Sequence, residues 1–284
     1  MFRSVGYLVL SMALTSALYA QQSAATPNER EMYCSGVVTT EPPSRDTYVI
    51  SGVESGLRIT FHQGNLVFIN RGANQGVRVG AEFLVSRPVR ELMPTKWFTW
   101  QNSLLRAMGA TYADVGRIRV VNVQPTTSTA EIVYSCDFML RGDIVQPFTE
   151  RRAPSFKPAG NLDLFAPPSG KEQAMVVTTR GFGQLAADGA IVYVNLGSSQ
   201  GVRVGDYFRV FRYQGDRHSA AYQPRGMAYR VPGMGVAPGP WDWDDLPRDI
   251  LGEGIVLRAG PNASTVLITA SRREIFPGDY VEIE

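Results

Sequence analysis

The chain has 284 residues, with 28 basic and 26 acidic side chains, a net charge of +2 and no long basic run. That balance excludes a protein held to nucleic acid by sequence-independent charge. Hydrophobic residues make up 44% of the chain, enough for two domains of ordinary size each to bury its own core.

Residues 1–20 read as a secretory signal peptide. Arg3 lies in the short charged start, an apolar run goes from Val5 to Ala17, and the small residue Ala20 precedes Gln21. The run is shorter than the ~20 residues a spanning helix needs. The expectation is a periplasmic or secreted protein with no transmembrane segment after signal cleavage. Residues 21–32 are polar and read as a flexible N-terminal segment. Cys34 and Cys136 are the two cysteines of the chain. An even count in an oxidising compartment favours a structural disulfide. Two cysteines without a histidine beside them make a poor zinc set, and no metal or cofactor is expected.

From residue 66 the chain says nearly the same thing twice. Leu66-Val67-Phe68-Ile69-Asn70-Arg71-Gly72 recurs 125 residues on as Ile191-Val192-Tyr193-Val194-Asn195-Leu196-Gly197. Between 66–87 and 191–212, 12 of 22 positions are identical, ending with Phe83/Phe208, Val85/Val210 and Arg87/Arg212. A second shared block lies at an offset of 136 and pairs Ser128-Thr129 with Ser264-Thr265 and Gly142-Asp143 with Gly278-Asp279. The repeats therefore run 33–149 and 171–284. Residues 150–170, with Pro154, Pro158, Pro167 and Pro168, read as a semi-rigid Pro-rich linker.

The shared blocks alternate like strands and are punctuated by glycines. Val67 and Ile69 fall on one side of a strand, and Val77 and Val79 flank Arg78 with period two, which predicts both valines inward. Gly76, Gly80, Gly142 and their counterparts Gly201, Gly205, Gly278 mark turns. The fold class expected is all-β: two tandem small β-barrel-like domains related by internal duplication, each with one long insertion. One short helix is predicted over Gln101–Met108 in the first insertion, where Leu104, Leu105 and Met108 share a face.

Val192-Tyr193-Val194-Asn195-Leu196-Gly197 through Gly201-Val202-Arg203-Val204-Gly205-Asp206, with the closing Gly278-Asp279-Tyr280-Val281, resembles the C-terminal domain of the flagellar assembly protein T family. The first copy departs from the pattern with Ala81 in place of Asp206. The resemblance implies a small β domain of a periplasmic assembly, without enzymatic activity. It does not imply that the chain belongs to a flagellum.

Catalytic motifs are formal matches only. Gly197-Ser198-Ser199-Gln200-Gly201 fits G-x-S-x-G, but a nucleophile elbow needs a following helix and a histidine; the chain holds only His62 and His218. Gly181-Phe182-Gly183 with Ala186 loosely resembles a dinucleotide loop without a βαβ unit around it. The carboxylates of Trp241-Asp242-Trp243-Asp244-Asp245 lack EF-hand spacing. The recurring Asp143 and Asp279 fit Asx turns, and Arg78 and Arg203 fit either caps on turn carbonyls, the commoner role, or contacts with a partner's carboxylate.

All four tryptophans, Trp97, Trp100, Trp241 and Trp243, lie in the two insertions, 88–114 and 213–250, with Tyr222 and Tyr229 in the second. Three roles stay open for these aromatics: covering barrel ends or glueing the repeats together, a protein interface, or a sugar platform. The expectation is a non-catalytic envelope module acting by protein–protein contact or as a scaffold, with another envelope protein or itself as partner. The alternative is a carbohydrate- or peptidoglycan-binding protein using the aromatics of the insertions.

Overall fold

The computed structural model describes residues 25–53, 56–90, 97–158, 162–214, 230–231, 235–236 and 246–284. The signal-like segment lies outside the described residues, and so do Tyr222, Tyr229, Trp241 and Trp243. The first repeat contains helix α1 (Glu29–Tyr33), strands β1 (Val37–Thr39), β2 (Val49–Gly52), β3 (Leu66–Ile69) and β4 (Glu82–Val89), helix α2 (Gln101–Met108), and strands β5 (Ala110–Val123), β6 (Ser128–Ser135) and β7 (Ile144–Pro147). The second contains β8 (Gln173–Thr179), β9 (Ile191–Val194), β10 (Tyr207–Arg212), the short pair β11 (Arg230–Val231) and β12 (Gly235–Val236), then β13 (Asp249–Ala259), β14 (Ser264–Ser271) and β15 (Tyr280–Ile283). The architecture is all-β, and α2 occupies the residues predicted for it.

Strand order is the same in both copies. The second repeat is a closed barrel, β10-β13-β14-β9-β8-β15. In the first, the matching strands run β7-β4-β5-β6-β3-β2, and a bridge between Tyr48 and Ile144 joins the outer strands β2 and β7. Around that bridge Val49 N–H donates to the Asp143 carbonyl at 2.9 Å and Val145 N–H to the Thr47 carbonyl at 2.9 Å. Register shifts recur at matched places: after Val85 and Val210, after Arg117 and Glu253, after Val120 and Val256. Each shift bends its strand and tightens the local twist, which lets a small sheet curl onto itself.

Each barrel buries its own core. Val67, Ile69, Val77, Phe83 and Val85 fill the first; Val192, Val194, Val202, Phe208 and Val210 fill the second at the same positions. Burying each such side chain contributes roughly 1.5–3 kcal/mol. The ends of the two cores are filled differently. Phe61, bridged to Met139, closes the first, and Ala186, bridged to Ile275, closes the second. Gly52 makes room for Phe61, whose ring would lie 2.3 Å from a Cβ there; the second copy pairs the smaller Ala186 with Thr179 at Gly52's register position.

The predicted inward pair of valines is half right. Val77 and Val202 are buried, but Val79 is 66% exposed and Val204 50%. The segment is a 3-10 turn (Ala73–Gln75, Ser198–Gln200) followed by further turn and not a strand, so its side chains do not alternate across a sheet. The six turn glycines, Gly76, Gly80, Gly142, Gly201, Gly205 and Gly278, all have positive φ, between 80° and 105°.

The N-terminal segment, expected to be flexible, and the Pro-rich linker, expected to be semi-rigid, both pack against the repeats where they are described. From residue 25 on, the N-terminal segment carries α1, started by a capping box: Asn28 Oδ1 accepts from Glu31 N–H at 2.9 Å, and Glu31 Oε2 from Asn28 N–H at 2.7 Å. Met32 on this helix is buried. The described part of the Pro-rich linker is a strap along the second barrel. Ala153 and Phe156 pack into an apolar cluster, Lys157 N–H donates to Tyr207 Oη at 2.8 Å, and Lys157 Nζ bridges Glu253 and Glu284. Burial pulls the Lys157 ammonium down, but these two carboxylates outweigh it and hold its pKa above the ordinary lysine value.

Candidate functional site

Most polar residues common to both copies are engaged within their own repeat. Asn70 Oδ1 accepts the N–H of Tyr48 at 2.7 Å, and Asn195 Oδ1 accepts that of Met175 at 2.7 Å. Gln75 and Gln200 each close a turn by accepting from Gly72 and Gly197 N–H at 2.9 Å. Ser128 Oγ donates to the Arg71 carbonyl and Ser264 Oγ to the Leu196 carbonyl. Most telling are Arg87 with Asp143 and Arg212 with Asp279, two-pronged ion pairs of 2.7–2.8 Å. Each carboxylate also accepts a backbone N–H three residues before it, from Leu140 or Phe276, at 2.7 Å. The aspartates are thus buried anchors pinning a turn to the neighbouring strand, and the Asx-turn expectation is corrected. Arg78 and Arg203 are exposed.

What distinguishes the copies is their outer surface. A seam joins the repeats, where the first insertion lies across the outside of the second barrel. Phe98 and Met108 are buried there with Val177, Ile191, Tyr193, Ile255 and Leu267, and Trp97, Leu104 and Leu105 pack against them. Gln101 Nε2 donates to the Val177 carbonyl at 2.9 Å, fixing α2 on β8. Trp97 therefore helps glue the repeats, whereas Trp100 is 65% exposed.

The polar part of the seam centres on Ser35-Gly36. Cys34, just before it, is disulfide-bonded to Cys136 with Cα atoms 5.4 Å apart, which ties this segment to the first barrel. The second barrel grips its carbonyls: Tyr193 Oη donates to Ser35 O at 2.9 Å, and Thr265 Oγ1 and Arg258 Nη1 to Gly36 O at 3.2 Å each. Gly36 N–H donates to Asp114 Oδ2 at 2.8 Å, and Asp114 faces both Arg258 and Arg151. Gly36 has φ +70°, and a Cβ there would meet Tyr193 Oη at 2.5 Å. Burial, aided by the Asp114 charge, pushes the Tyr193 phenol far up, so it stays a donor. Burial pulls the Arg258 guanidinium below its ordinary value against the opposing pull of Asp114.

Beside this segment lies a cleft of about 600 Å³, bordered by the disulfide, Asp114, Asp137, Arg180 and Phe182. Ser199 sits in the 3-10 turn Ser198–Gln200 and leads into turn and strand, not the helix a nucleophile elbow requires. Among the described residues, no group of three or more His, Cys, Asp or Glu is placed to hold a metal ion, and no helix is long and apolar enough to cross a membrane.

The first barrel has the same outer face, and among the described residues it is left partly open. By strand register Tyr48, Ile50, Leu66 and Phe68 on β2 and β3 match Met175, Val177, Ile191 and Tyr193 on β8 and β9. Val177, Ile191 and Tyr193 are buried in the seam; Tyr48, Ile50 and Leu66 are exposed. The connection between β2 and β3 carries two further exposed apolar residues, Leu57 at 88% and Ile59 at 77%. Sequence reasoning passed over this face, although one signal was present. Leu66-Val67-Phe68-Ile69 is apolar on both sides, the mark of a strand covered on both faces.

No protein-family model matches the chain, and no curated protein matches it.

Proposed function

We propose that the protein is a non-catalytic, exported two-barrel module that acts by protein–protein contact through the outer β2–β3 face of its first barrel. The observation that carries this reading is the contrast between matched faces: Ile50 and Leu66 are exposed where Val177 and Ile191 are buried under a partner element. Several exposed apolar residues on one pair of strands suit a protein partner better than hydrophobes scattered singly over a surface do. The signal-like first twenty residues and the Cys34–Cys136 bridge support an oxidising compartment. The flagellar assembly protein T resemblance supports an envelope role, though the shared Asn, Gln, Gly and Arg–Asp positions all serve the fold. A second reading, sugar binding, is favoured by the exposed ring of Trp100.

The test is a photoreactive amino acid placed at Ile59, with Val204 as an exposed control on the second barrel, irradiated in native envelopes. Protein adducts at Ile59 exceeding those at Val204 are expected. Equal or absent adducts at Ile59, with glycan retention lost on Trp100→Ala, favour the sugar reading instead.

A further inference from the structure

We propose that the polar junction between the repeats binds a small organic acid, whose single carboxylate docks on Arg258 in the cavity between the barrels. The site lies apart from the β2–β3 face and does not depend on what that face binds.

The chain itself shows how its guanidiniums hold a carboxylate. Arg87 and Arg212 each grip an aspartate with Nε and Nη2, the two parallel donors along one edge of the group. Arg258 leaves that edge unused. Its hydrogen bonds, to the Gly36 carbonyl at 3.2 Å and to Asp114 at 3.4 and 3.5 Å, all leave from Nη1. Nε and Nη2 are not sealed in, and the side chain is 24% exposed.

The charge around Arg258 is also unbalanced. Arg151 Nη2 lies 3.6 Å from the same Asp114, so two guanidiniums share one carboxylate that is itself 8% exposed. Burial lowers the Arg258 pKa, Asp114 opposes that, and the Arg151 charge adds to the lowering. One more negative charge balances the cluster. A monocarboxylate supplies it. A second negative charge on the ligand would meet Glu41, which also borders the cavity.

Arg151, Arg258 and Asp114 border a cavity of about 400 Å³ between the repeats. That volume lies in the range of small-molecule sites, which combine apolar walls with a few placed polar groups. Val37, Leu84, Ala259 and Pro261 supply apolar wall for the body of the acid. Ser86, also on the border, is the register partner of Asp114 across β4 and β5. It is 8% exposed and its hydroxyl has no hydrogen-bond partner, a group that an acceptor in the cavity would satisfy.

Isothermal titration calorimetry of the purified protein tests this, with sodium benzoate as the probe and benzamide and inorganic phosphate beside it. Benzoate is expected to bind with a Kd of about 1 mM or tighter, and benzamide not detectably. Arg258→Lys keeps the charge and a donor for Gly36 but loses the two-pronged edge, and should weaken benzoate by about tenfold. Arg258 also holds the seam, so Gln146→Glu serves as a second variant. Gln146 borders the same cavity, and this near-isosteric change adds a competing carboxylate. It should weaken benzoate on the order of tenfold with an unchanged far-UV spectrum. The absence of benzoate binding overturns the proposal. So does binding unchanged in Gln146→Glu or in folded Arg258→Lys, and so does benzamide or phosphate binding as tightly as benzoate.

Discussion

Ile50 and Val177 hold the same place on matched strands, each the extra residue of a register shift on β2 or β8, yet Ile50 is 38% exposed and Val177 fully buried. Their chemistry is nearly the same; their neighbours are not. Val177 lies under α2 and Phe98, and its carbonyl receives Gln101. Duplication has preserved an apolar outer strip in both copies, and the chain covers only one of them among its described residues.

The duplicated ion pairs should differ in importance. Removing one partner of a buried pair strands a charge, at a cost of about 3–5 kcal/mol. Asp279→Ala should approach that figure in urea unfolding. Asp143→Ala should cost less, because the Arg87 side chain is 21% exposed against 10% for Arg212 and can rehydrate. Equal losses would mean that exposure of the arginine does not govern the pair.

The ends of the cores should show coupling. Ala186→Phe inserts a ring beside Thr179 without the space that Gly52 provides for Phe61. Overpacking of this kind costs on the order of 1–3 kcal/mol. Adding Thr179→Gly should recover part of the loss, read as a double-mutant cycle by urea denaturation. Strict additivity would show that the two sites do not share space.

Acid should weaken the second barrel through Glu282. Burial alone would push its carboxyl up, but the two-pronged contact with Arg248, together with Arg209, holds it below the ordinary value of 4.5. A depressed carboxylate stabilises the fold above its unfolded pKa, and that contribution is lost as pH falls through the lower folded value. Unfolding free energy should therefore fall as pH drops below about 4.5. Gln146 stands at the matching position of the first repeat, and Glu282→Gln should flatten the acid limb. An unchanged limb in the variant would assign the acid sensitivity to other groups.

The seam should depend on the segment behind the disulfide. Thiol titration of the unfolded, unreduced chain should find no free thiols, and reduction should cost up to about 4–5 kcal/mol in the chain-entropy picture. Tyr193→Phe removes one buried hydrogen bond to Ser35 and should cost about 1 kcal/mol. Gly36→Ala should cost more, since its Cβ would collide with Tyr193 Oη and the backbone there is left-handed. Gly36→Ala milder than Tyr193→Phe would mean that the segment is not tightly held.

Much of the architecture was legible because repetition exposes what a fold requires. Glycines with positive φ, valines of the inner faces and the bracketing cysteines all sit where chain pattern alone places them. The Arg87–Asp143 and Arg212–Asp279 pairs were legible only as separate repeated residues, since sequence spacing does not reveal that β4 and the turn before β7 are neighbours. Val79 and Val204 misled because period-two spacing occurs in turns as well as strands. The outer face of the first barrel was harder still. Whether an apolar outward residue is covered depends on tertiary packing, and Ile50 and Val177 look alike until α2 is placed.

The most direct measurement is hydroxyl-radical footprinting of the protein in the cells that make it, compared with the dilute purified protein. Tyr48, Leu57 and Ile59 should become protected in the cells, while Val204 and Leu185, exposed on the second barrel, keep their reactivity. Unchanged reactivity at Tyr48, Leu57 and Ile59 would contradict the account, because the face would then be open where the protein works.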